Sequence, residues 1–88
     1  MQEICLKSAK EKTESLIKII GKNIRKLRID KKLTQNDIAF NSWVEPSYIS
    51  AVERGSYKNI TLLSLMKLSI LFEVKPEDLF KEIVSYEN

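Results

Sequence analysis

Between residues 33 and 55 the chain reads LTQNDIAFNSWVEPSYISAVERG, a run that holds two helix starts and one helix stop. Thr34 stands three residues before Asp37, so its hydroxyl is placed to cap the Asp37 amide, while the Asp37 carboxylate favours the positive end of a helix beginning there. That helix is short and ends near Asn41, because Ser42-Trp43-Val44-Glu45-Pro46 follows. Pro46 suits a first helical position, with Glu45 as a poor cap before it, and Gly55 is a natural C-terminal stop, which sets another helix at 46–54. Ile49 and Val52 on this helix are spaced to face a core and turn Ser47, Ser50 and Arg54 to a different face. Two short helices joined by a tight turn over about 34–54 form a helix-turn-helix candidate. Small hydroxyls and a cation are residue types that read base edges and phosphates, although a polar helix face is merely solvated in most proteins.

Upstream, Leu16, Ile20, Ile24 and Leu27 recur at three- and four-residue steps among lysines and arginines, which predicts an amphipathic first helix over about 15–31. Gly21 inside it costs about 1 kcal/mol relative to alanine and implies close packing or a junction with an N-terminal arm. Residues 1–14 are set apart as that arm, either an extra helix or a segment without fixed order, since Ile4, Cys5 and Leu6 offer little apolar surface, and the domain proper is placed at 15–86. Downstream, Ser56-Tyr57-Lys58-Asn59 reads as a loop, and Thr61 caps a fourth helix carrying Leu62, Leu65, Met66, Leu68, Ile70 and Leu71, expected to be mostly buried. Val74-Lys75-Pro76 breaks it, and Pro76-Glu77-Asp78 opens a fifth helix with Leu79, Phe80 and Ile83 on one side. No period-2 alternation is long enough for a sheet, so the expected fold is an all-α, compact five-helix domain.

The 88 residues suffice for one domain, and with 43% hydrophobic content they can build a core. There is no histidine and a single cysteine, which removes histidine-based nucleophile systems, an internal disulfide and multi-cysteine zinc sites. Gly21 and Gly55 are too far apart for a phosphate-cradling loop, so no enzyme and no cofactor is expected. The net charge is +3, and the surplus is central: residues 18–58 hold nine positive and four negative charges, whereas 59–88 hold three and five. A face that binds anions therefore belongs to the middle of the chain. Neither a secretion signal nor a membrane span is evident, and a reducing, cytoplasmic setting leaves Cys5 a thiol.

The run IGKNIRKLRIDKKLTQNDIAF (20–40) followed by SYISAVERG (47–55) resembles the helix-turn-helix domain of Cro and lambda-repressor type bacterial and phage regulators over about residues 19–80. Arg28, the Thr34-Gln35 pair, Ile38-Ala39, Tyr48 to Ser50, and Glu53 with Gly55 carry the resemblance. Within that family, SYISAVERGSYKNITLLSL is most similar to the small controller proteins of restriction-modification systems. The resemblance implies a partly buried Arg28–Glu53 ion pair tying the first helix to the third. It further implies that Gln35 contacts a phosphate and braces the recognition helix. Pro46, Ser47, Tyr48, Ser50 and Arg54 take recognition-helix positions, with Tyr48 open to either a core or a contact role, and Tyr57, Lys58 and Asn59 form a phosphate-contacting loop. Trp43 stands where the family's turn carries glycine, Pro46 where controllers often place arginine, and the loop after Gly55 is one residue longer than the controllers' pattern.

Regulators of this kind dimerise to read half-sites about 34 Å apart, so a homodimer on double-stranded DNA with a pseudo-palindromic operator is expected. Leu79, Phe80 and Ile83 are its expected interface, with the domain's own core as the alternative for some of them, and RNA polymerase is a candidate partner. A phage-type repressor or an antitoxin regulator is an alternative on the same fold, and a helical adaptor that binds protein alone is an alternative of a different class.

Overall fold

Residues 6–42 and 44–82 are described by a computed structural model, so expectations resting on Ile4, Cys5, Trp43 and Ile83 lie outside the described residues. Four α-helices follow one another, α1 (Leu6–Asp30), α2 (Gln35–Ser42), α3 (Pro46–Arg54) and α4 (Leu62–Phe72), and a 3-10 turn at Pro76–Phe80 comes after them. The described residues contain no strand. This is the all-helical arrangement expected, with two corrections to its ends. The first helix starts at Leu6 rather than near 15, because LKSAKEKTESL contains good helix formers and no glycine or proline to stop it. Residues 6–14, read as a separate arm, are thus the opening turns of α1. The last element is a five-residue 3-10 turn rather than a fifth α-helix, opened by Pro76 and fastened by the Lys75 amide donating to the Asp78 carboxylate at 3.3 Å.

The glycine inside α1 is explained by a helix crossing. A Cβ on buried Gly21 would collide with the Val52 carbonyl oxygen and lie 3.1 Å from that of Glu53, so α1 and α3 meet there backbone to side-chain-free backbone. Around this crossing the core collects Ile17, Ile20 and Ile24 from α1, Ile38 and Ala39 from α2, Ile49 and Val52 from α3, and Leu65, Leu68 and Phe72 from α4. Ile17 rather than Leu16 begins the buried stripe of α1, Leu16 being 38% exposed.

Two further expectations need correcting. Only one side of α4 is buried: Leu62, Leu63, Met66 and Ile70 are exposed, so its apolar content exceeds what the core takes up. Leu79 is fully buried among the core side chains, and of the residues expected at an interface only Phe80 is exposed within the described chain. The reason lies in Asn23, a buried α1 side chain whose amide donates to the carbonyls of Leu79 at 2.7 Å and Lys81 at 2.8 Å. These two bonds pull the 3-10 turn onto α1 and drive Leu79 inward.

Helices α1, α3 and α4 end in the same way. At Lys32, Gly55 and Glu73 the chain turns left-handed (φ 59°, 73° and 59°), and paired backbone bonds close each end: Leu33 N–H to Arg28 and Lys32 N–H to Ile29, Ser56 to Ala51 and Gly55 to Val52, Val74 to Ser69 and Glu73 to Ile70. The Thr34 hydroxyl accepts from the Asp37 amide at 3.0 Å while the Asp37 carboxylate accepts from the Thr34 amide at 2.9 Å, a reciprocal cap that fixes the start of α2. Thr61 caps α4 by accepting from the Ser64 amide at 3.1 Å. Glu45 precedes α3 without a side-chain capping bond, leaving Pro46 to open that helix.

Candidate nucleic-acid interface

Helix α3 is held by one carboxylate. Glu53 accepts from Arg28 Nε at 2.6 Å and Arg28 Nη2 at 3.0 Å, and from Gln35 Nε2 at 3.1 Å, while Arg25 Nη1 stands 4.0 Å away. Arg28 also donates through Nη1 to the Leu33 carbonyl at 2.9 Å, at the end of α1. The Glu53 side chain is 3% exposed and that of Arg28 13%, so this is a desolvated fork rather than a surface pair. The hydrogen bond to Glu53 raises the Arg28 pKa further above its already high ordinary value. Arg28 on α1, Gln35 at the head of α2 and Glu53 on α3 are thereby brought together, and the recognition-position helix cannot rotate without breaking all three.

Rotation is thus fixed with Ile49 and Val52 inward, and the opposite side of α3 presents Pro46 and Ser47 to solvent. Ser50 is half-buried and its hydroxyl accepts from Arg54 Nη1 at 2.5 Å, which lays the guanidinium back along the helix surface. Tyr48 packs against the core, and its ring meets that of Tyr57 edge-on with centroids 4.7 Å apart at 75°. Its hydroxyl is buried and finds no hydrogen-bond partner among the described residues. The aromatic pair fastens the loop after Gly55 to α3, and Ser47, Tyr48, Ala51, Tyr57 and Ser64 line a shallow concavity between them. Lys58 and Asn59 are exposed on the same loop, with Lys58 Nζ 3.9 Å from the Glu14 carboxylate.

The structure therefore groups Ser47, Tyr48 and Tyr57 about one concavity, joins Ser50 to Arg54, and turns the Gln35 amide inward to Glu53. Chemically, the exposed side of α3 carries hydroxyls and one guanidinium, and a guanidinium is the side chain suited to bidentate contact with guanine or a phosphate. Asp37, at the start of α2, has its carboxyl held below the usual range by the Thr34 amide and then by the Thr34 hydroxyl. Among the described residues there is no cluster of metal-ligating side chains, and no helix is long and apolar enough to cross a membrane.

Sequence reasoning missed three features. The pair of hydrogen bonds from the Asn23 amide to the Leu79 and Lys81 carbonyls carries no signal in sequence, since an asparagine between apolar positions of a helix reads as solvated. Phe40 is 83% exposed on α2 although it follows two core residues. The exposed apolar side of α4 is signalled by apolar residues all round that helix, a pattern that fits burial and an unpartnered surface equally well.

The sequence matches the helix-turn-helix family model over residues 24–79. It is 39% identical over 70 residues to the HTH-type transcriptional regulator SlrR of Bacillus subtilis (strain 168), covering 78% of this chain and 46% of that protein, so the chain spans less than half of that relative. It is 32% identical over 68 residues to the control protein C.BamHI of Bacillus amyloliquefaciens, covering 76% of this chain and 83% of that protein. The crystal structure of the restriction-modification controller protein C.AhdI from Aeromonas hydrophila is similar with a TM-score of 0.68 and 36% identity, over 73% of this chain and 96% of that one.

Proposed function

The chain belongs to the helix-turn-helix family, and from that membership we propose that it is a sequence-specific transcriptional regulator that binds double-stranded DNA as a homodimer and serves as a controller of a restriction-modification system. The observation that carries this reading is the presentation of α3. The Arg28–Glu53–Gln35 network fixes the helix while its outer face offers Ser47 and the Ser50–Arg54 pair, and the Tyr48–Tyr57 contact holds Lys58 and Asn59 beside it. In this reading α3 enters the major groove, where Ser47 and Arg54 meet base edges, Ser50 supports Arg54, and Pro46 packs at the groove entrance. Tyr57, Lys58 and Asn59 meet the phosphate backbone, with Tyr48 as the anchor of their loop and Gln35 as the brace of α3.

The homodimer is supported by the apolar side of α4. Leu62, Met66 and Ile70 recur at four-residue steps in the open, and the 3-10 turn packed against α4 adds Phe80. The interface accordingly shifts from Leu79, which the core occupies, to α4 with Phe80. A two-fold dimer presents two α3 helices to half-sites of a pseudo-palindromic operator, and dimerisation makes occupancy steep in protein concentration. Two adjacent operators filled in sequence near the protein's own promoter, with RNA polymerase contacted at the first, give activation at low concentration and repression at high concentration.

The test is fluorescence anisotropy with duplex DNA from immediately upstream of the gene against a scrambled duplex at two salt concentrations. Tighter binding to the native duplex by about 10³-fold, weakening with salt, is expected. Ile70→Asp is expected to make the protein monomeric by sedimentation and to flatten the binding curve. Equal, salt-insensitive association with both duplexes would overturn the reading in favour of a protein-binding adaptor. Footprinting that finds one operator instead of two would remove the sequential mechanism alone.

A further inference from the structure

The opening turns of α1 lie outside the family match, which begins at residue 24, and 96% of C.AhdI is accounted for by 73% of this chain. They bury nothing: every residue from Lys7 to Leu16 is exposed. A helical segment of this length is marginal in water unless something packs against it. One of its faces nevertheless looks at the loop that the functional reading places on DNA. At Gly55 a Cβ would lie 3.1 Å from Lys18 Cγ, so α1 passes directly over the end of α3. One turn towards the N-terminus, Glu14 faces Lys58 at 3.9 Å. Beyond that, Ala9, Lys10, Thr13, Glu14 and Ile17 form one wall of a cleft of about 300 Å³ whose other wall is Lys58. Lys12 is on a different face and lines a separate groove with Glu11, Ser15 and Leu16.

We propose that this cleft seats a phosphodiester of the DNA backbone between Lys10 and Lys58, so that the N-terminal extension of α1 lengthens the DNA footprint beyond the helix-turn-helix itself. The proposal rests on the DNA-binding reading above and adds to it a contact made by residues outside the family match. Glu14 is the resident anion of the cleft in the free protein. Its pair with Lys58 is long and exposed, and such pairs contribute little, so a phosphate flanked by two ammonium groups displaces it. The Thr13 hydroxyl is already donated to the Ala9 carbonyl at 2.8 Å, which leaves the two lysines as the donors for the phosphate. Lys10 is one helical turn, about 6 Å, from Glu14, so the cleft continues the line of the Lys58 loop rather than opening a second, remote site.

The experiment compares Lys10→Gln with Lys12→Gln in the full chain, by anisotropy on the upstream duplex across a series of salt concentrations. Both substitutions remove one charge from the same helix, and glutamine keeps its helix propensity. Lys10→Gln is expected to weaken binding roughly 3- to 10-fold and to reduce the slope of log K against log salt by about 0.9, whereas Lys12→Gln leaves the slope unchanged. Glu14→Gln is expected to tighten binding by a few-fold. Slopes for Lys10→Gln that equal those of the parent and of Lys12→Gln overturn this contact while leaving the functional reading intact. Absence of salt-dependent binding by the parent overturns both.

Discussion

Replacing Arg28 by methionine removes the guanidinium but keeps an apolar chain of similar reach, and the consequences can be worked through bond by bond. Two hydrogen bonds to Glu53, at 2.6 and 3.0 Å, and one to the Leu33 carbonyl at 2.9 Å are lost. A carboxylate whose side chain is 3% exposed is left with the Gln35 amide at 3.1 Å and the more distant Arg25 guanidinium at 4.0 Å. Breaking a buried pair from one side costs about 3–5 kcal/mol, chiefly through the charge left behind. Arg25 is 59% exposed and can swing closer, which puts the expected loss near the lower limit, about 3 kcal/mol. For a domain of this size that is a large share of a total of about 5–15 kcal/mol, and it lowers the melting temperature by roughly 12–24 °C. Urea titration followed by far-UV circular dichroism measures it directly. The Arg28→Met, Glu53→Leu double variant supplies the control. If the cost is a stranded charge, removing that charge as well restores stability, and the double variant is more stable than Arg28→Met alone. A loss below about 1 kcal/mol for Arg28→Met, or a double variant as unstable as the sum of the two singles, would show that no charge is stranded and reduce the fork to a surface pair.

Gly21→Ala gains about 1 kcal/mol of helix propensity but drives a Cβ into the Val52 carbonyl, so a net loss of about 1–3 kcal/mol is expected; a gain in the urea midpoint would show that α1 and α3 can part at no cost. Glu73→Gly relieves a left-handed residue at the end of α4 and is expected to stabilise by about 0.5–1 kcal/mol after the entropy of the unfolded glycine is counted; an unchanged or lower midpoint would contradict it. Because Thr34 lowers the Asp37 pKa in the folded state, the stability this carboxylate contributes is present above its unfolded value of about 3.9 and is lost as pH falls through the folded one. Asp37→Asn should therefore show a smaller drop in melting temperature between pH 6 and pH 3 than the parent, and parallel drops would exclude the cap as the cause.

The parts of the fold legible in sequence are those fixed by local chemistry. Thr34 with Asp37, Pro46, Gly55 and Thr61 mark starts and stops through bonds between residues three or four apart, and they place α2, α3 and the head of α4. Illegible were the ends set by tertiary forces. Three helices close with the same left-handed turn, yet only Gly55 announces it; Lys32 and Glu73 adopt it against their own preference because Leu33 and Val74 pack against the core immediately afterwards. Burial along α4 could not be read either, since an apolar helix looks the same whether a core or an unpartnered surface receives its second side. The same holds for Leu79, whose inward turn depends on Asn23, an amide 56 residues away. At the site, the identities of Arg28, Gln35 and Glu53 were readable from resemblance, but the inward turn of Gln35 and the Arg54–Ser50 bond required the spatial arrangement.

That arrangement bears on how affinity and selectivity are divided. The outer side of α3 offers short hydroxyls and one guanidinium, so on the proposed reading base contacts would be few and their directional content would rest on Arg54. Ser50 already accepts a hydrogen bond from that guanidinium, which restricts the side chain to a limited set of directions before DNA arrives and lowers the entropy lost on contact. A helix so sparsely equipped must be positioned accurately, because one misplaced contact is a large fraction of all it makes. The desolvated fork on Glu53 provides that accuracy by linking α1, α2 and α3 through a single carboxylate, and the tyrosine pair extends it to the Lys58 loop. On the proposed reading, affinity has to come from elsewhere: from phosphate contacts along the basic central segment, to which the proposed Lys10 contact would add, and from the proposed pairing of two copies through α4. Both proposed sources are sequence-independent, so on this reading a change of operator would require altering only the few residues on one side of α3 while the supporting network stays as it is.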